Sequence, residues 1–505
     1  MVRCKFVTAN IPPAAPGHGM SKIRLIGTLL LLASWTGPGF LLHRTDIDPM
    51  MPLLLAATAV VLTVPAWLAT RAHRFDPAEP VWLLSVMYAI SFWLRPLLVL
   101  YDPDNYGVPF VSYERSAMIG ASGVAFVALI GFYLGYYLRL SPSFAPPLLR
   151  LPWPWRRSRV LTALFAFAAL FAYLGFYFFS KGEFSFEYIY ANRTLISWGD
   201  GDLAQLIQLS GWLVVILALA LYSTSPRPSV MGAVAFVTTI VGVEGVLSIF
   251  GARWSLFFIV GSLIIVWHYT RRRVRIWQWI AIFLCFFVAS SLFGTWRQSL
   301  DVDDIRPELM LQNVVTETYQ YLEWDVLSEI FRLYPVSESH SYGRLGLETI
   351  LWLIPRRLWP GKPEWYGTTS IQRIVFPGII NFSDEGGFVG TFLTISTAGE
   401  GYVEFGWAGA FLYMFLFGVL WRLIYEFKEL NRNSFPAVAA YAVLAIGIPV
   451  YVRGFATVVL VVFVWFFWQI ALFRWLGNAS RSTTELARRT GAGKSASGTV
   501  FQSSP

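Results

Sequence analysis

Apolar residues run through this chain in long blocks, each close to the length of a helix that crosses a hydrocarbon core, and short polar breaks separate them. Such a core needs roughly 20 helical residues, and within lipid only helices or closed barrels satisfy their own backbone hydrogen bonds. The blocks are helix-length, so the pattern predicts an all-α, polytopic membrane helix bundle. It places about twelve spans, at 23–42, 50–70, 81–100, 117–138, 160–179, 203–223, 230–250, 254–270, 276–294, 405–425, 436–451 and 455–475.

The polar breaks divide the chain further. Residues 1–22 form an N-terminal tail, 23–294 a first block of nine spans, 295–404 a large loop, 405–475 the last three spans, and 476–505 a Ser- and Gly-rich tail expected to be disordered. On the outer side, besides the large loop, only 101–116 and 180–202 exceed hairpin size. A loop of that length is expected to fold, because long structureless loops are uncommon in compact domains. Its segment 307–334 has the mixed apolar spacing of one or two amphipathic helices lying at the membrane surface. The stretch LGLETILWLIP (345–355) is too short to span and stops at Pro355, which predicts an interfacial or re-entrant helix delivering Arg356 and Arg357 to the membrane face.

Composition agrees with a membrane protein: 56% of residues are hydrophobic, 14% are charged, and mean hydropathy is +0.55. A soluble multi-domain reading fails on those figures. The formal net charge of +9 is a topology signal rather than a nucleic-acid footprint, because basic blocks such as RRSR (156–159) and RRRVR (271–275) fall on one side of the predicted spans. By the positive-inside rule that side, with both termini, is cytoplasmic, and the 295–404 loop is outside. The basic segment before the first span marks it as an anchor rather than a cleaved leader. Cys4 and Cys285 are the only cysteines, which excludes a disulfide framework or a cysteine-based zinc site. GAGKS (491–495) lacks the leading glycine of a phosphate loop, since Arg488 stands there. Asp-x-Asp occurs at 46–48, 102–104, 200–202 and 301–303, too often in acidic outer segments to single out a metal site.

Cations on the outer side run against the positive-inside bias and are the first candidates for chemistry. Arg193 lies in the second outer loop, Arg253 in SIFGARWSLFF between two spans, and Arg356, Arg357 and Lys362 in one aromatic cluster. Guanidinium forks match phosphate oxygens, and Gly251 and Ala252 would let a bulky head group approach Arg253. The competing reading has Arg253 snorkel or pair with Glu244, and the 356–362 cluster touch phospholipid beside Trp352, Trp359 and Trp365. For proton transfer the loop offers His340, its only histidine, with Glu348, Asp384, Glu385, Glu400 and Glu404. Glu400 and Glu404 are one helical turn apart, and a helix N-terminus would stabilise Glu404 in any case.

Three stretches carry a family resemblance: GARWSL (251–256), YGRLGLETILWLIPRRLWPGKP (342–363) and GEGYVEFGWAGAFLYMFLFGVLW (399–421). In these, and in its topology, the chain resembles the bacterial oligosaccharide repeat-unit polymerases, also called O-antigen polymerases. The family pattern carries an asparagine where Glu404 stands.

The resemblance implies a metal- and cofactor-independent GT-C-type glycosyltransferase of the bacterial inner membrane, its large loop periplasmic. Such an enzyme moves a glycan from one undecaprenyl diphosphate to the non-reducing end of a second lipid-linked repeat unit. Its partners would be that lipid-linked oligosaccharide, the bilayer, a chain-length regulator and a flippase, with no nucleic acid. Carried over by position, Arg253, Arg356 and Arg357 would hold the donor diphosphate and Glu400 would belong to the active-site rim; Arg193 and Lys362, read from the outer cations themselves, would add charge. Trp359 and Tyr402 would stack on sugar, and His340, Glu348 or Glu400 would serve as base. A glycan ligase using the same donor, or a lipid-linked oligosaccharide transporter or flippase, are the alternatives.

Overall fold

The computed structural model describes residues 47–71, 75–108, 111–138, 155–181, 201–224, 229–249, 253–271, 322–352, 368–377, 395–431, 434–448 and 468–477, with shorter pieces within 36–41, 273–288, 359–361 and 380–390. Helix dominates these residues: α1 (Met50–Leu62), α2 (Val64–Arg71), α3 (Pro80–Ala89), α4 (Arg95–Tyr101), α5 (Pro103–Tyr106), α6 (Arg115–Tyr137), α7 (Arg157–Lys181) and α8 (Gly201–Thr224). There follow α9 (Val230–Ile249), α10 (Arg253–Thr270), α11 (Glu323–Leu333), α12 (Arg344–Trp352), α13 (Thr368–Val375), α14 (Thr397–Leu430) and α15 (Phe435–Ile446). Among the described residues the chain is the expected all-α bundle of apolar helices, with one short antiparallel strand pair, β1 (Ile380–Phe382) with β2 (Phe388–Gly390), beside them.

Six helical stretches among the described residues are long and apolar enough to cross a membrane: Met50–Arg71, Pro80–Tyr101, Arg115–Tyr137, Arg157–Lys181, Val230–Leu247 and Thr397–Leu430. Three shorter apolar helices, Leu206–Tyr222, Ile259–Thr270 and Phe435–Ile446, match further expected spans in part. The spans expected at 23–42, 276–294 and 455–475 lie largely outside the described residues.

The largest helix pairing is α6 with α14. It is close because α6 presents Gly131 and Gly135, four residues apart, and α14 answers with Gly418. A Cβ on Gly135 would stand 2.0 Å from the Phe415 carbonyl oxygen, and one on Gly418 would stand 2.2 Å from that of Phe132. Between helices in lipid there is no hydrophobic drive, so small residues that bring backbones into contact supply the packing energy. Gly123 meets Trp407, Gly131 meets Phe411 and Gly135 meets Phe415, so the two helices run parallel.

Between α3 and α4 the chain widens into one π-helical turn, Ile90–Leu94. Pro96 cannot donate to the Phe92 carbonyl four residues earlier, and the wider turn accommodates its ring. The turn ends at Arg95, which is fully buried.

At the end of the bundle where α6 and α14 finish, Lys428 is fully buried beneath the rings of Tyr269, Tyr425 and Tyr441, its Nζ 3.8, 4.2 and 5.2 Å from their centroids. The same Nζ lies 2.6 Å from Glu429 Oε1 and 3.6 Å from Asp76 Oδ2. Asp76 accepts hydrogen bonds from the Tyr269 hydroxyl at 2.6 Å and the Tyr425 hydroxyl at 3.0 Å, and faces His268 Nε2 at 3.5 Å. Tyr441 donates to the Ala78 carbonyl and Tyr136 to Glu79. This cluster ties the 75–80 turn to α6, α10, α14 and α15.

Candidate functional site

The opposite end of the bundle collects the described parts of the large loop. Helix α11 is amphipathic, as its spacing predicts, but its apolar face is buried in the bundle and carries acids with it. Asp325, fully buried, receives Arg95 Nε at 2.8 Å on one oxygen and Arg95 Nη2 at 3.0 Å on the other. The Tyr113 hydroxyl adds a third bond at 2.7 Å, and Arg95 Nη2 also donates to the Tyr106 carbonyl at 2.7 Å. Burial raises the Asp325 carboxyl above the usual carboxylate range against the opposing pull of Arg95, and burial together with Asp325 pushes the Tyr113 hydroxyl up as well. Glu329 accepts from the Ser112 backbone N–H and from Arg332 Nε, and Trp324 Nε1 donates to Ser122 at 3.0 Å.

With α11 fixed, the chain that follows returns onto α14. That helix is capped by Ser396, whose hydroxyl accepts the Gly399 N–H at 3.0 Å, and it is broken at Phe405 and Gly406, where Gly406 has φ +64°. The break folds the 397–404 limb back against the helix body, so closely that a Cβ on Gly401 would stand 2.5 Å from the Gly409 carbonyl oxygen. The glycines of GEGYVEFGWAG thus have a geometric cause.

Residues 341–346 dock on the break. Ser341 N–H donates to the Val403 carbonyl at 2.9 Å and Tyr342 N–H to the Glu404 carbonyl at 3.1 Å. The Glu404 carboxylate accepts the Gly343 N–H and, at 2.9 Å, the Gly346 N–H, so it caps the first turn of α12. The Tyr413 hydroxyl completes its shell. Glu404 does cap a helix N-terminus, as negative charge there favours, but the helix is α12 rather than its own.

His340 stands beside this joint, half-buried among the rings of Tyr334, Tyr342 and Tyr402. Its Nδ1 is 3.3 Å from the Val403 carbonyl oxygen. A carbonyl only accepts, so Nδ1 carries the proton, and in the neutral ring Nε2 keeps a lone pair on the side facing Gly406.

The other sequence candidates fall in several places. Glu348, mostly buried, is bonded to Arg344 Nε at 2.6 Å, and this partner raises the Arg344 pKa. Glu400 is 1% exposed, enclosed behind the break rather than on an open rim, and acts electrostatically on Tyr413. Tyr402 is 3% exposed; its ring packs against Phe331 and its hydroxyl donates to the Tyr334 carbonyl at 3.2 Å, so neither face is open to a sugar. Trp359 is exposed. Arg253 opens α10, but its side chain, like the whole of Arg193, Arg356, Arg357 and Lys362, lies outside the described residues. Glu244 is buried within α9. Asp384 and Glu385 also lie outside.

Sequence reasoning missed the Arg95–Asp325 pair. Its signal was an arginine inside the apolar run FWLRPLL, since a charge at that depth demands a partner. No group of His, Cys, Asp and Glu side chains among the described residues is placed to hold a metal ion. No family model, no curated protein and no solved structure matches the chain.

Proposed function

We propose that this chain is a GT-C-type glycosyltransferase that polymerises lipid-linked oligosaccharide repeat units at the outer face of a bacterial inner membrane. The observation that carries the reading is the joint between 340–346 and the break in α14. It sets His340, with Nε2 able to accept a proton, at the end of a membrane bundle beside exposed aromatic rings. The chain leaving that joint through α12 runs directly to Arg356, Arg357 and Lys362. A base and a cluster of cations on one short segment suit transfer from a lipid diphosphate: the base takes the proton of the acceptor hydroxyl, and the cations meet the charge that grows on the departing diphosphate. The glycosidic bond to the donor diphosphate breaks as the new one forms to the acceptor oxygen, so the lipid-linked donor itself supplies the energy.

The test is reconstitution of the purified full-length protein with the lipid-diphosphate-linked repeat unit of the native host, without nucleotide, followed by gel separation of the glycans. A ladder of lengthening products is expected. Movement of labelled substrate across sealed vesicles with no ladder would replace the reading with transport, and a single transfer to another lipid would replace it with ligation.

A further inference from the structure

We infer that Tyr342 forms the saccharide-stacking platform of this site, a binding role for the acceptor glycan that rests on the glycosyl-transfer reading above. Tyr402, the tyrosine that resemblance points to, is enclosed, whereas Tyr342 is 72% exposed and stands over the same histidine. Its ring centroid is 6.1 Å from that of His340 and 6.4 Å from that of Phe405, both edge-on, which leaves the outer face of the ring bare. Phe405 and Trp407 extend the aromatic surface, each more than two-fifths exposed.

The backbone supplies the independent observation. Ser341 to Arg344 form a turn closed by the Arg344 N–H on the Ser341 carbonyl at 3.1 Å. Both central residues have positive φ, +46° at Tyr342 and +92° at Gly343. Turns of that shape favour asparagine, aspartate or glycine at the first central position, because a bulky side chain is strained in the left-handed region. Asn-Gly would fit this turn without strain, yet the chain has Tyr-Gly, and the ring packs into no core that would offset the strain. Strain held in place by surrounding hydrogen bonds beside a candidate base marks a residue kept for its side chain. An amphipathic ring exposed next to a proton acceptor fits the apolar face of a pyranose, and the tyrosine hydroxyl, which meets no partner among the described residues, could bond a sugar hydroxyl.

Tyr342→Asn removes the ring and relaxes the turn, and Tyr342→Phe keeps the ring. For both, and for the wild-type full chain in detergent and in bilayer nanodiscs, two quantities are measured: the thermal midpoint, and the affinity for the free oligosaccharide released by mild acid from the host repeat unit. Polymerisation is followed alongside. Tyr342→Asn is expected to keep or raise the midpoint while weakening oligosaccharide binding by about ten-fold, and Tyr342→Phe to stay within about three-fold of wild type.

Unchanged binding in Tyr342→Asn overturns the platform, and so does a lowered midpoint, which would make the ring structural. A defect confined to nanodiscs with binding intact would assign the ring to lipid head groups and overturn it too. If the wild type binds the oligosaccharide, loses it in Tyr342→Asn and yet makes no ladder, the platform stands and the transfer reading fails. A ladder that Tyr342→Asn leaves unaltered in length and acceptor KM upholds the transfer reading and overturns the platform.

Discussion

On the glycosyl-transfer proposal, two side chains at the α14 break divide the labour between placement and chemistry. Glu404 is fully buried and its oxygens are occupied by the Gly343 and Gly346 N–H groups and by Tyr413, so it holds the start of α12. His340 spends one nitrogen on the Val403 carbonyl and keeps the other. Glu404→Ala would leave two partly buried backbone donors without their acceptor, at a cost of up to about 1–3 kcal/mol each; a clear fall in thermal midpoint, together with lost polymer, is expected. His340→Gln should behave differently. It is expected to lower kcat by about 100-fold or more while leaving the midpoint and acceptor KM near wild type, since a general base contributes at that scale. Steady-state rates on the reconstituted protein separate the two, and equal loss of stability in both variants would show that His340 too is a structural residue.

Among the elements, α11 shows how a loop becomes part of a bundle. Arg95 and Asp325 are both fully buried, and each is costly without the other. Removing one partner of such a pair typically costs about 3–5 kcal/mol, whereas replacing both with apolar groups of similar volume is often neutral. Arg95→Met and Asp325→Leu are each expected to detach α11 and lower the thermal midpoint, and the double substitution is expected to recover most of the loss. Tyr113 loses a partner in the double variant and should keep recovery incomplete. A double variant no better than either single one would mean that the pair is held by the fold rather than holding it.

The same helix shows what was legible beforehand. Amphipathic spacing in 323–333 announced a helix, and the apolar blocks announced the long helices. The spacing placed α11 at a membrane surface, because an amphipathic face against lipid and one against protein have the same period. Only Arg95 inside its apolar run hinted that an acid had to descend to meet it. Likewise Glu400 and Glu404 were visible as a pair one turn apart. Their burial was not, because it follows from the reversal at Phe405–Gly406, and the contact of Gly401 with Gly409 brings together residues that a continuous helix would hold about 12 Å apart.

Across the whole molecule, the two polar clusters sit at opposite ends of the parallel pair α6 and α14, so each closes the bundle where the other cannot reach. The candidate site at one end needs α14 to hold its position along α6, and the far-end cluster fixes that position: Lys428 from α14 is boxed by α10 and α15 tyrosines and faces Asp76. Burial alone would raise the Asp76 pKa, but the hydrogen bond from His268, the charge of Lys428 and the Tyr269 hydroxyl outweigh it and hold the carboxyl below the usual carboxylate range. The folded protein therefore keeps this carboxylate ionised where the unfolded chain would already bind a proton. Such a group stabilises fully above its unfolded pKa, near 4, and its contribution is lost as pH falls below that value toward the folded one. Thermal midpoints of the wild type are expected to drop steeply below about pH 4, while Asp76→Asn starts from a lower midpoint at neutral pH and shows a shallower slope in the same acid window. Because the cluster sets the register of α14, the neutral-pH loss in Asp76→Asn should also reach the opposite end and reduce polymer formation without any contact with substrate. Parallel acid slopes for the two proteins would remove Asp76 as a source of acid-sensitive stability, and full activity in Asp76→Asn would show that the α6–α14 glycine contact alone holds the register.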